Sequence, residues 1–150
     1  MHISQNPDTK QKLLHSVEMG YYRRQLTILG TFYLVCCAIS LMNDPAMGIT
    51  FSIIFLPVLF FYLFRIFQIL RERDSYLFCT VTLDQPNYLF WCKSYAFTVT
   101  LEHPQIPRCT RKTRPIFMPH GFFEPQLVNY VNQSVTVAYN PLTDTLVVIG

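Results

Sequence analysis

Charge is scarce in this sequence. Asp, Glu, Lys and Arg make up 14% of its 150 residues, against roughly a quarter in a typical soluble domain. That scarcity excludes an ordinary solvated surface over the whole chain. The formal net charge is only +3, so no global field draws it to double-stranded nucleic acid, and any electrostatic attraction has to be local. Catalytic and metal signatures are missing too. There is no P-loop, nucleophile elbow or HExxH motif. No CxxC pair occurs, and zinc sites normally take ligands in such close pairs. His103, His120, Cys79, Cys92 and Cys109 are common enough here to meet by chance. The sequence implies no catalytic residue, no metal and no cofactor.

What is present is apolar. Hydrophobic residues reach 51% and aromatics 15%, with a mean hydropathy of +0.24. Two runs account for this. Nineteen residues separate Arg24 from Asp44 without a charge, and twenty separate Asp44 from Arg65. Each approaches the ~20 residues a helix needs to cross hydrocarbon. The connection "NDPAMG" is short and turn-forming, which predicts an antiparallel helical hairpin. A buried hairpin of a soluble protein is the bland alternative, but too little chain remains to cover it. The first run starts too late and is too long for a signal peptide. Val35 before Cys36 does not fit a lipoprotein signal.

Cations set the orientation. Lys10, Lys12, Arg23 and Arg24 precede the first run, and Arg65, Arg71 and Arg73 follow or end the second. The tip carries only Asp44. Both termini are therefore expected in the cytoplasm of an inner-membrane, multi-pass protein. Its cysteines are then free thiols. Neither run holds an acid, His or Lys, so a charge-lined ion path is not indicated. Thr27, Thr31, Ser40, Thr50 and Ser52 are the polar groups left for a pore or, more commonly, for packing.

The expected organisation is an interfacial segment over 1–24, a transmembrane hairpin over 25–70 and a cytosolic β domain over 71–150. Residues 1–7 read as disordered. A helix beginning near Asp8 or Thr9 would carry Leu13, Leu14, Val17 and Tyr21 on one face at the membrane surface. Period-two alternation predicts strands at 76–83, 87–92, 95–102, 134–139 and 145–149, with a short strand at 115–118 and a short helix at 124–131. The fold class is a membrane α-helical hairpin plus a small antiparallel all-β domain, a barrel or sandwich of five to six strands.

The last strands, "SVTVAYNPLTDTLVVI", carry Val135, Val137, Tyr139 and Pro141 in a V-x-V-x-Y-x-P pattern. This resembles the DUF3592-like family of small bacterial membrane proteins, which implies a barrel-like β domain and no catalytic residues. The layout also resembles two-helix membrane effectors of type III CRISPR defence. That resemblance implies a cytosolic domain that binds cyclic oligoadenylate. Such a near-four-fold ligand would suit a homo-oligomer, most simply a tetramer.

One segment gives that implication a place. "RCTRKTR" (108–114) holds four of the five cations found after Ser75. Arg108, Arg111, Lys112 and Arg114 could clamp phosphate oxygens, with flanking prolines stiffening the expected loop. Trp91, Lys93, Tyr95 and His120 offer stacking and hydrogen-bonding groups for unpaired bases. Two alternatives stay open: a solvated loop touching anionic lipid headgroups, or a docking site for a protein.

Overall fold

The computed structural model of the chain describes residues 7–43, 45–120 and 124–149. The expected disorder of residues 1–7 falls outside them up to residue 6, and Pro7 already begins a helix. The chain forms two compact units. One combines the N-terminal residues up to Tyr21 with everything from Leu70 onward; the other is Tyr22–Ile69. The helical unit is thus an insertion between two parts of the β unit.

Helix α1 covers Pro7–Leu14. It stops at His15 and Ser16, and α2 runs from Val17 to Asn43. Ser16 starts α2 as an N-cap, its Oγ accepting the Met19 N–H at 3.2 Å. Helix α3 spans Pro45–Arg71 and continues through Pro57. Within the helical unit the two helices run antiparallel. Tyr22 meets Tyr62 at 6.1 Å between ring centroids, Phe32 meets Phe55 at 5.6 Å, and the Tyr33 and Ser52 hydroxyls lie 2.9 Å apart. Among the described residues, α3 is the one helix with the length and hydropathy to cross a membrane over 46–71; its most apolar 18 residues average a hydropathy of 2.2. One candidate span is consistent with membrane association and does not by itself support the multi-pass expectation. Helix α2 carries Glu18, Arg23 and Arg24 in its first turns.

Among the described residues the β unit has six strands: β1 (Leu77–Thr82), β2 (Gln85–Leu89), β3 (Ser94–His103), β4 (Ile106–Lys112), β5 (Ser134–Asn140) and β6 (Thr145–Val148). They form two antiparallel three-stranded sheets, ordered β1-β5-β6 and β2-β3-β4. Alternation gives each sheet an apolar inner face. Cys79, Val137 and Val148 form one inward row of the first sheet. Phe97, Val99 and Leu101 line the second, and all six belong to one buried core with Ile116 and Phe117. Phe117 packs edge-on against Phe97 and Tyr130, each at 5.0 Å.

Four expectations are corrected here. The basic segment is not a loop; it forms most of β4, registered against β3 by Val99↔Arg111 and Leu101↔Cys109. Its charges and Pro107 are tolerated because β4 is an edge strand. The second strand ends at Leu89 instead of Cys92, which moves Phe90 and Trp91 into the turn. The short helix expected at 124–131 is a single 3-10 turn, Leu127–Asn129. The N-terminal segment also differs from a membrane-surface helix. Leu13 is fully buried, and Val17 and Tyr21 pack on the β core. The Lys12 ammonium stands 5.9 Å from the Phe78 ring centroid. Phe78 pairs with Ala138 and Ala138 with Val147, a row on the outer face of the first sheet. The helix break at His15–Ser16 lets one amphipathic stretch reach the sheet with both of its parts.

Candidate functional site

The eight residues that suggested an anionic-ligand site do not converge. Arg108 lies at the start of β4 and pairs with Glu102 at 3.0 Å, both side chains well exposed. Arg111 points to the other face, and its Nε donates to Asp144 Oδ1 at 2.5 Å. Lys112 is exposed on the same polar face as Thr98, its register partner. Arg114 is half-buried beyond the strand and acts electrostatically on Glu18. Arg108 and Lys112 are four positions apart, about 13 Å of extended chain. Trp91 and Lys93 share the β2–β3 turn, and Tyr95, the second residue of β3, packs against Tyr88 with the rings tilted and their centroids 5.1 Å apart. His120 is exposed beyond the Phe117–Met118 bridges.

Arg111 belongs to a small polar network. Asp144 Oδ1 also accepts the Tyr139 hydroxyl at 2.7 Å, and the Arg111 guanidinium lies 6.0 Å from the Tyr139 ring centroid. The hydrogen bond from Tyr139, then that from Arg111, holds the Asp144 carboxyl below its ordinary range. The Arg111 guanidinium is held more firmly protonated by the same contacts, Asp144 first. The network ties the edge of the second sheet to the β5–β6 turn of the first. Its chemistry is that of a strut, with both charges already matched.

Two glutamates, which the sequence reading left without a role, mark the points where the helical insertion leaves and rejoins the β unit. Glu18 sits in the first turn of α2 and is fully buried. Its Oε2 accepts the Val148 N–H at 2.7 Å, while Oε1 has no hydrogen-bond partner among the described residues. Burial pushes its pKa up to about 8, opposed by the hydrogen bonds from the Glu18 and Val148 backbones and by the Arg114 charge. Glu72 follows α3 directly. Its Oε2 accepts Asn140 Nδ2 at 3.1 Å and the Thr143 hydroxyl at 2.9 Å. Both roots of the insertion are therefore fastened to the β5–β6 hairpin. Glu18 also caps the outward N–H of an edge strand, a group that would otherwise be orphaned.

Three hydroxyls of the apolar runs bond back along their own helices. Thr27 donates to Arg23 O, Thr50 to Ala46 O and Ser52 to Gly48 O, each four residues back along its own helix. Such back-bonding satisfies a hydroxyl without water. Among the described residues no group of three or more His, Cys, Asp or Glu is placed to hold a metal ion. Cys79, Cys92 and Cys109 are free thiols, and burial raises the Cys79 pKa.

Comparison of the chain with family models, with curated proteins and with solved structures gives no match.

Proposed function

We propose that this chain is a membrane-tethered interaction module. The helical insertion is a two-span anchor, and the β unit is displayed on the cytoplasmic side. One observation carries the reading: only 6% of the most apolar stretch of α3 is buried, leaving large side chains such as Ile53, Phe60 and Ile49 uncovered. A surface of that size and composition needs an apolar surrounding. Helix α2 follows α3 into it, because the Tyr22–Tyr62 and Tyr33–Ser52 contacts hold the two antiparallel. Its own uncharged stretch over 25–43 is long enough for the return crossing.

The β unit supports binding of a macromolecular surface better than binding of a small anion. Arg108 and Arg111 are already matched by Glu102 and Asp144. The Glu18 and Glu72 contacts couple whatever the β unit binds to the roots of both helices. The test is a membrane fraction washed at alkaline pH, followed by protease on intact spheroplasts. The reading requires the protein to stay in the pellet and its C-terminal half to be protected. Release by the wash, or trimming from outside, would sink it.

A second reading has one observation in its favour. Lys112 is exposed on the outer face of β4, and Arg114 is half-buried and acts electrostatically on the buried Glu18. These two could bind an anionic ligand, a cyclic oligonucleotide being the sharpest case, shared between copies in a homo-oligomer. Salt-sensitive binding of cyclic oligoadenylate, lost in Lys112→Ala with Arg114→Ala, would establish it.

A further inference from the structure

The β2–β3 turn has an unusual composition. Its four residues are Phe90, Trp91, Cys92 and Lys93, where Gly, Asn, Asp or Pro would relieve the backbone. Lys93 adopts φ 51°, a left-handed conformation that such residues take more readily. Phe90 is 80% and Trp91 84% exposed, and Tyr88 beside them is 52% exposed. Neither turn aromatic contributes to the core. The turn gives up local preference and still hides no apolar surface, so folding of the unit does not account for these side chains.

We propose that this hairpin tip inserts into the headgroup region of an anionic bilayer, as a second lipid contact for the anchored protein. The inference rests on the membrane-tethered reading. Trp is the side chain best suited to the membrane–water boundary, and Phe fills the apolar layer beneath it. Lys93 adds a cation that can stay in the headgroups while its stem lies along the apolar layer. No acid occurs between Asp84 and Glu102, and both of those stand at the far end of the hairpin, roughly 17 Å or more along the strands. The four turn residues therefore carry one cation and no acid. A bilayer fits this shape better than a protein does. The tip is a convex protrusion, which a fluid surface accepts without a matching pocket. Lys is also depleted from protein interface cores. Because the anchor keeps the β unit beside lipid, even a weak tip contact acts at high effective concentration.

Trp91 is the only tryptophan in the chain, so its fluorescence reports the tip alone. The full-length protein is reconstituted in vesicles of phosphatidylcholine with phosphatidylglycerol. Insertion predicts blue-shifted emission, quenching by brominated acyl chains and protection from acrylamide. Lys93→Glu keeps the probe and should weaken engagement by about fivefold per unit of charge on anionic vesicles. Emission of a water-exposed indole, freely quenched by acrylamide, would overturn the proposal. So would a blue shift that grows with protein density but ignores brominated lipid, which would assign the tip to a protein partner. An alkaline wash of the same vesicles separates the two claims. Retention with a wet Trp91 removes the tip contact and leaves the anchor standing. Release removes the anchor, and the quenching result still decides the tip.

Discussion

The carboxylate of Glu18 and the amide of Val148 meet at 2.7 Å across 130 residues of sequence. The contact joins the first turn of α2 to the last strand. Its carboxyl is fully buried and keeps one oxygen without a hydrogen bond among the described residues. Arg114 is the charged group that acts on it. Ionising Glu18 is therefore costly, and the fold prefers it protonated.

The sign of the pH effect follows. The Glu18 pKa is raised from 4.5 to about 8. The folded chain thus binds a proton that the unfolded chain has lost, and stability falls as pH rises through that window. Glu18→Gln should flatten this slope between about pH 5 and about pH 9 and should stabilise the protein at the alkaline end. Urea unfolding in detergent across that range measures it. Glu18→Ala leaves the Val148 N–H without its acceptor and should cost about 1–3 kcal/mol.

Asp144 behaves in the opposite sense. Its pKa is lowered, first by the Tyr139 hydroxyl and then by Arg111. Its contribution is present above the unfolded carboxylate pKa and is lost as pH falls through the folded value. Tyr139→Phe should move the Asp144 titration back toward its ordinary value, as read by carboxyl-carbon NMR. An unchanged titration would remove the hydroxyl from the network.

Phe117 is fully buried between Phe97 and Tyr130. Phe117→Ala should destabilise the β unit by about 3–5 kcal/mol, the range for large cavities in well-packed cores. The denaturation midpoint should fall with little change in slope.

Phe60 is 68% exposed near the middle of α3. If the helix crosses lipid, Phe60→Arg should disfavour insertion by roughly 2.5–3.5 kcal/mol and shift protein out of the membrane pellet. Thr100→Arg, on the exposed face of β3, is the control and should stay in the pellet.

Much of the β unit was legible from alternation. Strands β1, β3, β5 and β6 lie within two residues of where the Val, Thr and aromatic pattern puts them. β4 was not legible, because "IPRCTRK" has a proline and three cations and reads as a loop. Its strand character comes from pairing with β3, a tertiary effect absent from local preference. The roles of Glu18 and Glu72 were hidden for the same reason. An acid beside "SV" at the start of a helix signals a first turn, and nothing local reveals a strand edge 130 residues away. For the candidate site, sequence proximity does not fix which face of a strand a side chain takes. Arg111 and Arg108 project to opposite faces and find Asp144 and Glu102. Asp144 and Tyr139 stood in the quoted hairpin, but their partner lay in the other sheet.

The glutamate fastenings also carry a timing rule for biogenesis. A ribosome delivers Glu18 and Glu72 long before it reaches Asn140, Thr143 and Val148, the groups they grip. During that interval the helical insertion is already available to the insertion machinery while its two roots are still unfastened. Translation of the closing hairpin is the event that locks them, so on the membrane-tethered reading the helices can reach lipid before the β unit becomes rigid.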